Sequence, residues 1–131
     1  MLYLATSNSP SIREAIRTGL IGRLCTPRGG SPPIEGTWGA VSGCFTLGEN
    51  FRLERYLQWL ERMSPYAGRC LFAPAPDVVG DHAATLERSL PVLPAIRGLG
   101  CRAAFVGQDG AAPENTPWSA FDVLFLGGST D

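Results

Sequence analysis

The chain has 131 residues, 44% of them hydrophobic and 18% charged, with a formal net charge of −1. That length builds one domain with a real core, no stretch reaches the roughly 18 apolar residues of a membrane span, and the charge makes no global electrostatic case for nucleic acid. The N-terminus MLYLATSNSP has neither the basic flank nor the long apolar run of a signal peptide, so the expectation is a cytoplasmic protein with no membrane partner.

LYLAT (2–6) predicts a short buried strand. Ser9-Pro10 then opens a helix, with Ile12, Ile16 and Leu20 on one face as far as Gly19 or Gly22. TPRGGSPPIEG (26–36) predicts a loop. WGAVSGCF (38–45) predicts a second strand, and Asn50 an N-cap for a helix lined by Leu53, Leu57 and Leu60 that stops at Ser64-Pro65. RCLFA (69–73) predicts a third strand. Asp81 suits an N-cap for a helix carrying Leu86, Leu90 and Leu93, which Pro91 and Pro94 must kink or split. RAAFVG (102–107) predicts a fourth strand, and a helical turn near Trp118 leads to a fifth, FDVLFLG (121–127).

Strands alternating with helices spell βαβ units and a parallel sheet. The fold class is therefore α/β, either an open doubly wound sheet or a partial (β/α)8 TIM barrel of about four to five strands, within a single domain over residues 1–131. A complete barrel takes about 200 residues or more. The last strand has no following helix to cover it, and a parallel strand wants both faces covered. The expected complement is a homo-oligomeric partner or a missing C-terminal half, so that the domain is either completed by another chain or a fragment.

All 11 basic residues are arginine, and Arg13, Arg17, Arg23 and Arg28 meet only Glu14 before Glu35. Guanidinium forks suit phosphate, and a solvated helix face reads equally well. Cys25, Cys44, Cys70 and Cys101 form no C-x-x-C pair, so no metal site is expected, and Cys70 and Cys101 each open an apolar run as packed thiols. His82, the only histidine, follows the Asp81 cap, which points to a surface or capping role.

In parallel α/β folds the loops after the strands build the site. Those positions here are Ser7 and Asn8, then Ser42, Gly43 and Cys44, then Asp77, then Gln108, Asp109 and Gly110, and last Gly128, Ser129, Thr130 and Asp131. No histidine stands by to activate Ser42 or Cys44, and no phosphate loop or lysine is present. The set holds a carboxylate, an amide and glycines. A carboxylate with a neighbouring Gln can read a planar amide edge such as that of guanine, while a turn role remains open for Asp77 and for Gln108-Asp109-Gly110.

APDVVGDHAATL (75–86), AAFVGQDG (103–110) and FDVLFLGGSTD (121–131), in that order and spacing, with WGAVSGCFTLGENFRLERYLQWLERM (38–63) before them, resemble the tRNA-guanine transglycosylase superfamily. The branch they most resemble is the phage and bacterial one linked to 7-deazaguanine insertion in DNA. The resemblance implies a (β/α)8 barrel and exchange of guanine for a 7-deazaguanine base in DNA or tRNA, through a covalent carboxylate intermediate. It implies that Asp77 binds the guanine edge, Gln108 contacts the base, and Gly127 and Gly128 shape the pocket floor; Ser42, Cys44, Asp109 and Ser129 are further pocket candidates from their places after the strands. It implies no cofactor. Two departures matter. Val41-Ser42-Gly43 stands where the family has an acid, and valine transfers no proton. The family's nucleophilic aspartate, and its zinc cysteines where present, would fall on a strand beyond residue 131, so catalytic residues are unassigned and no turnover is expected of this chain alone. A non-catalytic purine- or nucleotide-binding module, or an oligomeric structural one, is the alternative.

Overall fold

In the computed structural model, which describes residues 1–129 apart from 8, 30, 31 and 34, strands and helices alternate along the chain. The order is β1 (Leu4–Ala5), α1 (Pro10–Arg17), β2 (Gly22–Cys25), β3 (Trp38–Ala40), α2 (Cys44–Leu47), α3 (Leu53–Arg62), β4 (Ala73–Pro74), α4 (His82–Ser89), α5 (Leu93–Gly98), β5 (Ala103–Gly107) and β6 (Val123–Leu126), with short 3₁₀ turns between. The fold is mixed α/β, with two three-stranded parallel sheets, β1-β2-β3 and β4-β5-β6. A parallel bridge between Trp38 and Cys70 spans the seam between them. There Leu71 N–H donates to the Trp38 carbonyl at 2.7 Å and Ala40 N–H to the Phe72 carbonyl at 2.9 Å. Spatial order across the seam therefore follows chain order from β1 to β6.

Several elements follow their sequence signals. Ser9 Oγ accepts from Ile12 N–H at 3.4 Å with Pro10 at the first helical position. Asp81 Oδ1 accepts from Ala84 N–H at 2.9 Å and starts α4. The two prolines divide the following helical stretch into α4 and α5, and a 3₁₀ turn stands at Trp118–Ala120.

Other expectations are corrected. Six strands form, because GRLC at 22–25, which lies between the expected helix end and the expected loop, pairs with both β1 and β3. The strand expected over 38–45 ends at Ala40, because Gly43 turns at φ 76° and the backbone enters α2. Asn50 does not cap α3; it lies in a 3₁₀ turn, and Arg52 precedes the helix without a side-chain cap. His82 is buried, not superficial, with its ring edge-on to Phe105 at 5.7 Å between centroids.

The core lies where α3 and α5 cover β3, β4 and β5. Trp38, Tyr56, Leu60, Leu93, Ile96 and Phe105 are fully buried there. Trp59 sits edge-on to Trp38 at 6.3 Å and stacks on Tyr56 at 6.2 Å. Such pairs contribute about 0.5–1.5 kcal/mol beyond burial. Both polar tips in this cluster find acceptors: Trp38 Nε1 donates to the Tyr66 carbonyl at 2.9 Å and Tyr56 Oη to the Pro74 carbonyl at 2.8 Å. Burial pushes the Tyr56 hydroxyl well above its ordinary pKa, so it stays a neutral donor.

Strand residues alternate between the two faces of the sheet. Ala103 and Phe105 belong to the helix-side core, which turns Ala104 and Val106 to the opposite face. There Phe72 meets Phe125 edge-on at 4.7 Å. Gly39 makes room for this: a Cβ at that position would lie 2.4 Å from Phe72 Cζ. The four cysteines are buried and unbridged. The Cys101 thiol and burial push the Cys70 thiol up. Among the described residues no helix is long and apolar enough to cross a membrane.

Candidate functional site

The segments after β3, β4, β5 and β6 meet at one end of the strands, and Asp77 lies at the centre of that meeting. The loop from Pro76 to Gly80 carries Asp77 out of β4 and into α4. It has almost no backbone partners, so its polar groups are satisfied by side chains. Ser89 Oγ donates to the Pro76 carbonyl at 2.7 Å, and Arg88 donates to the Asp77 carbonyl at 2.7 Å. Val78 N–H donates to Thr85 Oγ1 at 2.9 Å. The Thr85 hydroxyl stands within reach of the Val78 and Asp81 carbonyls, at 3.1 and 2.8 Å. Thr85, Arg88 and Ser89 all project from α4, so the helix behind the loop fixes the loop.

The Asp77 carboxylate is held from both sides. Gln108 Nε2 donates to Oδ2 at 2.6 Å, and the Cys44 thiol donates to Oδ1 at 3.4 Å. Gln108 is itself fixed, since Gly80 N–H donates to its Oε1 at 3.0 Å. This bond also sets which end of the amide faces Asp77. Gly127 completes the support: a Cβ there would stand 2.7 Å from Gln108 Nε2. Three residues far apart in sequence, Cys44, Gln108 and Gly127, thus gather around the carboxylate of Asp77.

Asp77 faces a cleft of about 360 Å³ walled by Val41, Cys44, Phe45, Pro74, Val106 and Phe125. The walls are mostly apolar, and Asp77 is the carboxylate among the described residues that line it. This is the usual make-up of a small-molecule site, apolar walls with a few fixed polar groups. Phe45 is 78% exposed at the rim, an open aromatic face beside the carboxylate.

Gln108 is 5% exposed and sits behind Asp77, not on the cleft wall. Gly127 and Gly128 likewise support the loops without lining the cleft. Ser42 Oγ accepts from Cys44 N–H at 3.3 Å at the start of α2. Asp109 and Ser129 form a separate clasp at the surface: Asp109 Oδ2 accepts from Ser129 Oγ at 2.6 Å and from Ser129 N–H at 3.0 Å. These bonds lower the Asp109 pKa. Ser7 lies exposed at the N-terminus, where its hydroxyl accepts from Ser9 N–H. Asn8, Thr130 and Asp131 lie outside the described residues.

Sequence reasoning missed Phe45, Thr85, Arg88 and Ser89. The three α4 residues had one available signal, a polar series (Thr85, Arg88, Ser89) on a helix whose apolar spacing was otherwise regular. Among the described residues no group of three or more His, Cys, Asp or Glu side chains could hold a metal ion. No family model, curated protein or solved structure matches the chain.

Proposed function

We propose that the cleft beside Asp77 binds a guanine or 7-deazaguanine base, and that the chain is a guanine transglycosylase-like protein acting on DNA or tRNA. The observation that carries this reading is the carboxylate held between Cys44 and Gln108 at the mouth of an apolar cleft. A carboxylate accepts two parallel N–H bonds, which is what the amide edge of guanine and of its 7-deaza analogues offers. The planar ring then rests between apolar walls, with Phe45 and Phe125 available for stacking.

The chain-order sequence of parallel strands favours a partial (β/α)8 barrel. A doubly wound sheet reverses strand order at a switch point, and β1 to β6 run without reversal. Asp77 sits where a barrel keeps its ligands, beyond the strands' C-terminal ends.

Base exchange of the retaining type needs a nucleophile and an acid/base group. Val41 lines the cleft where the resembling family has an acid, so the reading for this chain is base binding without exchange. Calorimetry with guanine and 7-cyano-7-deazaguanine tests it. Binding is expected for the wild type and is lost in Asp77→Ala. Equal affinity in both proteins would refute edge recognition, and incorporation of labelled guanine into DNA or tRNA by the purified chain would refute the absence of exchange.

A further inference from the structure

A second hollow opens on the far side of the segment 41–47. It measures about 570 Å³ and is lined by Arg28, Arg52, Arg55, Gln58 and Arg62, with Ser42 on its wall. An adjoining hollow of about 390 Å³ shares Arg28 and Arg62. Among the described residues no Asp or Glu lines either one. Local charge therefore departs sharply from the net −1 of the chain.

The helix explains the segregation. Arg55, Gln58 and Arg62 recur at i, i+3 and i+7 on α3, which puts them on one face. Glu54 and Glu61 each stand one residue earlier, turned about 100° away. Arg52 donates to the Glu49 and Phe51 carbonyls, at 2.7 and 3.0 Å. Arg28, Arg55 and Arg62 are exposed, and among the described residues the structure records no ion pair for any of them. Three unneutralised guanidiniums around one groove repel each other unless an anion joins them.

The groove adjoins the Asp77 cleft across the segment 41–43. A small hollow between the two is lined by Arg28, Val41, Ser42 and Gly43; Ser42 also walls the arginine groove, and Val41, Ser42 and Gly43 also wall the Asp77 cleft. We infer that Arg28, Arg55 and Arg62 hold the phosphodiester backbone of a single nucleic-acid strand whose base occupies the Asp77 cleft. This rests on the base-binding reading above. A base whose amide edge is read by a carboxylate is out of its pair, so the strand presented to the groove is unpaired there. Guanidinium forks match phosphate and carboxylate oxygens alike; the wall shared with the cleft in which a base is read favours the phosphodiester.

The test is fluorescence anisotropy with labelled single-stranded DNA and RNA oligonucleotides of one guanine-containing sequence, titrated at several salt concentrations. The proteins are the wild type, Arg28→Gln/Arg55→Gln/Arg62→Gln, and the matching triple lysine variant. Each phosphate contact contributes about 0.7 to the slope of log K against log salt for single strands. The glutamine variant is expected to lose about 2 from that slope, so wild-type affinity falls about twentyfold more than the variant's between 50 and 200 mM salt. The lysine variant is expected to keep most of the slope, since it keeps the charge, which separates charge loss from misfolding. Equal slopes in the wild type and the glutamine variant would overturn the inference. So would polyglutamate competing as well as an unlabelled oligonucleotide, which would make the groove a site for acidic protein. A preference for DNA or for RNA among binding oligonucleotides supports the groove and identifies its source. An oligonucleotide with guanine replaced by an abasic site separates the two readings: if it binds with the wild-type affinity and slope, the groove stands and the Asp77 reading fails. If free guanine binds through Asp77 while no arginine-dependent slope exists, the groove fails alone.

Discussion

Replacing Gly127 with alanine tests whether the support behind Asp77 sets its chemistry. Gly127 is not among the positive-φ glycines, so the backbone accepts alanine without strain, and the effect is carried by the Cβ alone. That Cβ would lie 2.7 Å from Gln108 Nε2, 3.1 Å from Val106 Cγ1 and 3.2 Å from Gln108 Cδ. Ordinary contact begins near 3.4 Å, so the amide must withdraw by several tenths of an ångström or more. Gln108 cannot do this freely, because its Nε2 is bound to Asp77 at 2.6 Å and its Oε1 to Gly80 at 3.0 Å. Losing one of these bonds at a buried amide costs about 1–3 kcal/mol. The reduced freedom of the unfolded chain gives back about 0.4–1 kcal/mol, so destabilisation wins by on the order of 1 kcal/mol. In urea the midpoint is expected to fall by roughly 0.3–1 M, given slopes of about 1–3 kcal/mol per molar. Guanine affinity is expected to drop about tenfold, the equivalent of 1.4 kcal/mol. In a Gln108→Ala background only the 3.1 Å approach to Val106 Cγ1 remains, and the penalty of the alanine is expected to be much smaller. An undiminished midpoint with unchanged guanine affinity, or the same penalty in both backgrounds, would refute the reasoning.

Gly39→Ala is expected to destabilise by about 1–3 kcal/mol, because its Cβ meets the Phe72 ring at 2.4 Å inside the sheet; thermal unfolding measures it. Asp81→Ala removes the cap of α4 and is expected to cost about 1 kcal/mol in chemical denaturation, with Asp81→Asn close to wild type. Asp122 accepts from Arg97 at 2.9 and 3.1 Å and from Ala103 N–H at 2.9 Å, and these partners lower its pKa. The stabilisation is therefore present above the unfolded carboxylate value and is lost as pH falls through the depressed folded one. Both side chains are more than a third exposed (39% and 37%), so Asp122→Asn is expected to lower the melting temperature only slightly at neutral pH, and the difference from wild type is expected to vanish in acid.

Where a local signal was strong, the sequence carried the fold. RAAFVG has a compact apolar run and becomes β5, buried at all five strand positions. Asp81 has a helical pattern three residues on and caps as expected. GRLC carried no such signal: Arg23 breaks its apolar pattern, and only pairing with β1 and β3 on both sides makes it a strand. His82 reads as superficial from its place after the cap, but the sheet behind α4 buries it against Phe105. The meeting of Asp77 and Gln108 was legible because both follow strands, and parallel topology gathers such loops. The anchoring of Asp77 by Thr85, Arg88 and Ser89 was not, because it depends on how α4 rolls against its own entry loop. The arginine groove divides similarly. The run of arginines is visible in sequence, but Arg13, Arg17 and Arg23, read there with Arg28, do not line the groove; Arg28 is joined instead by residues of α3.

The loop from Pro76 to Gly80 owes its shape to hydroxyl and guanidinium groups of the helix that follows it, so the two must come apart together. Amide exchange at Val78, whose N–H is held by Thr85, should then report the opening of α4, not a local flicker of the loop. A carboxylate presented in this way arrives already aimed. A ligand meeting it has little loop-ordering entropy to overcome, and the loop would contribute little to any conformational change on binding.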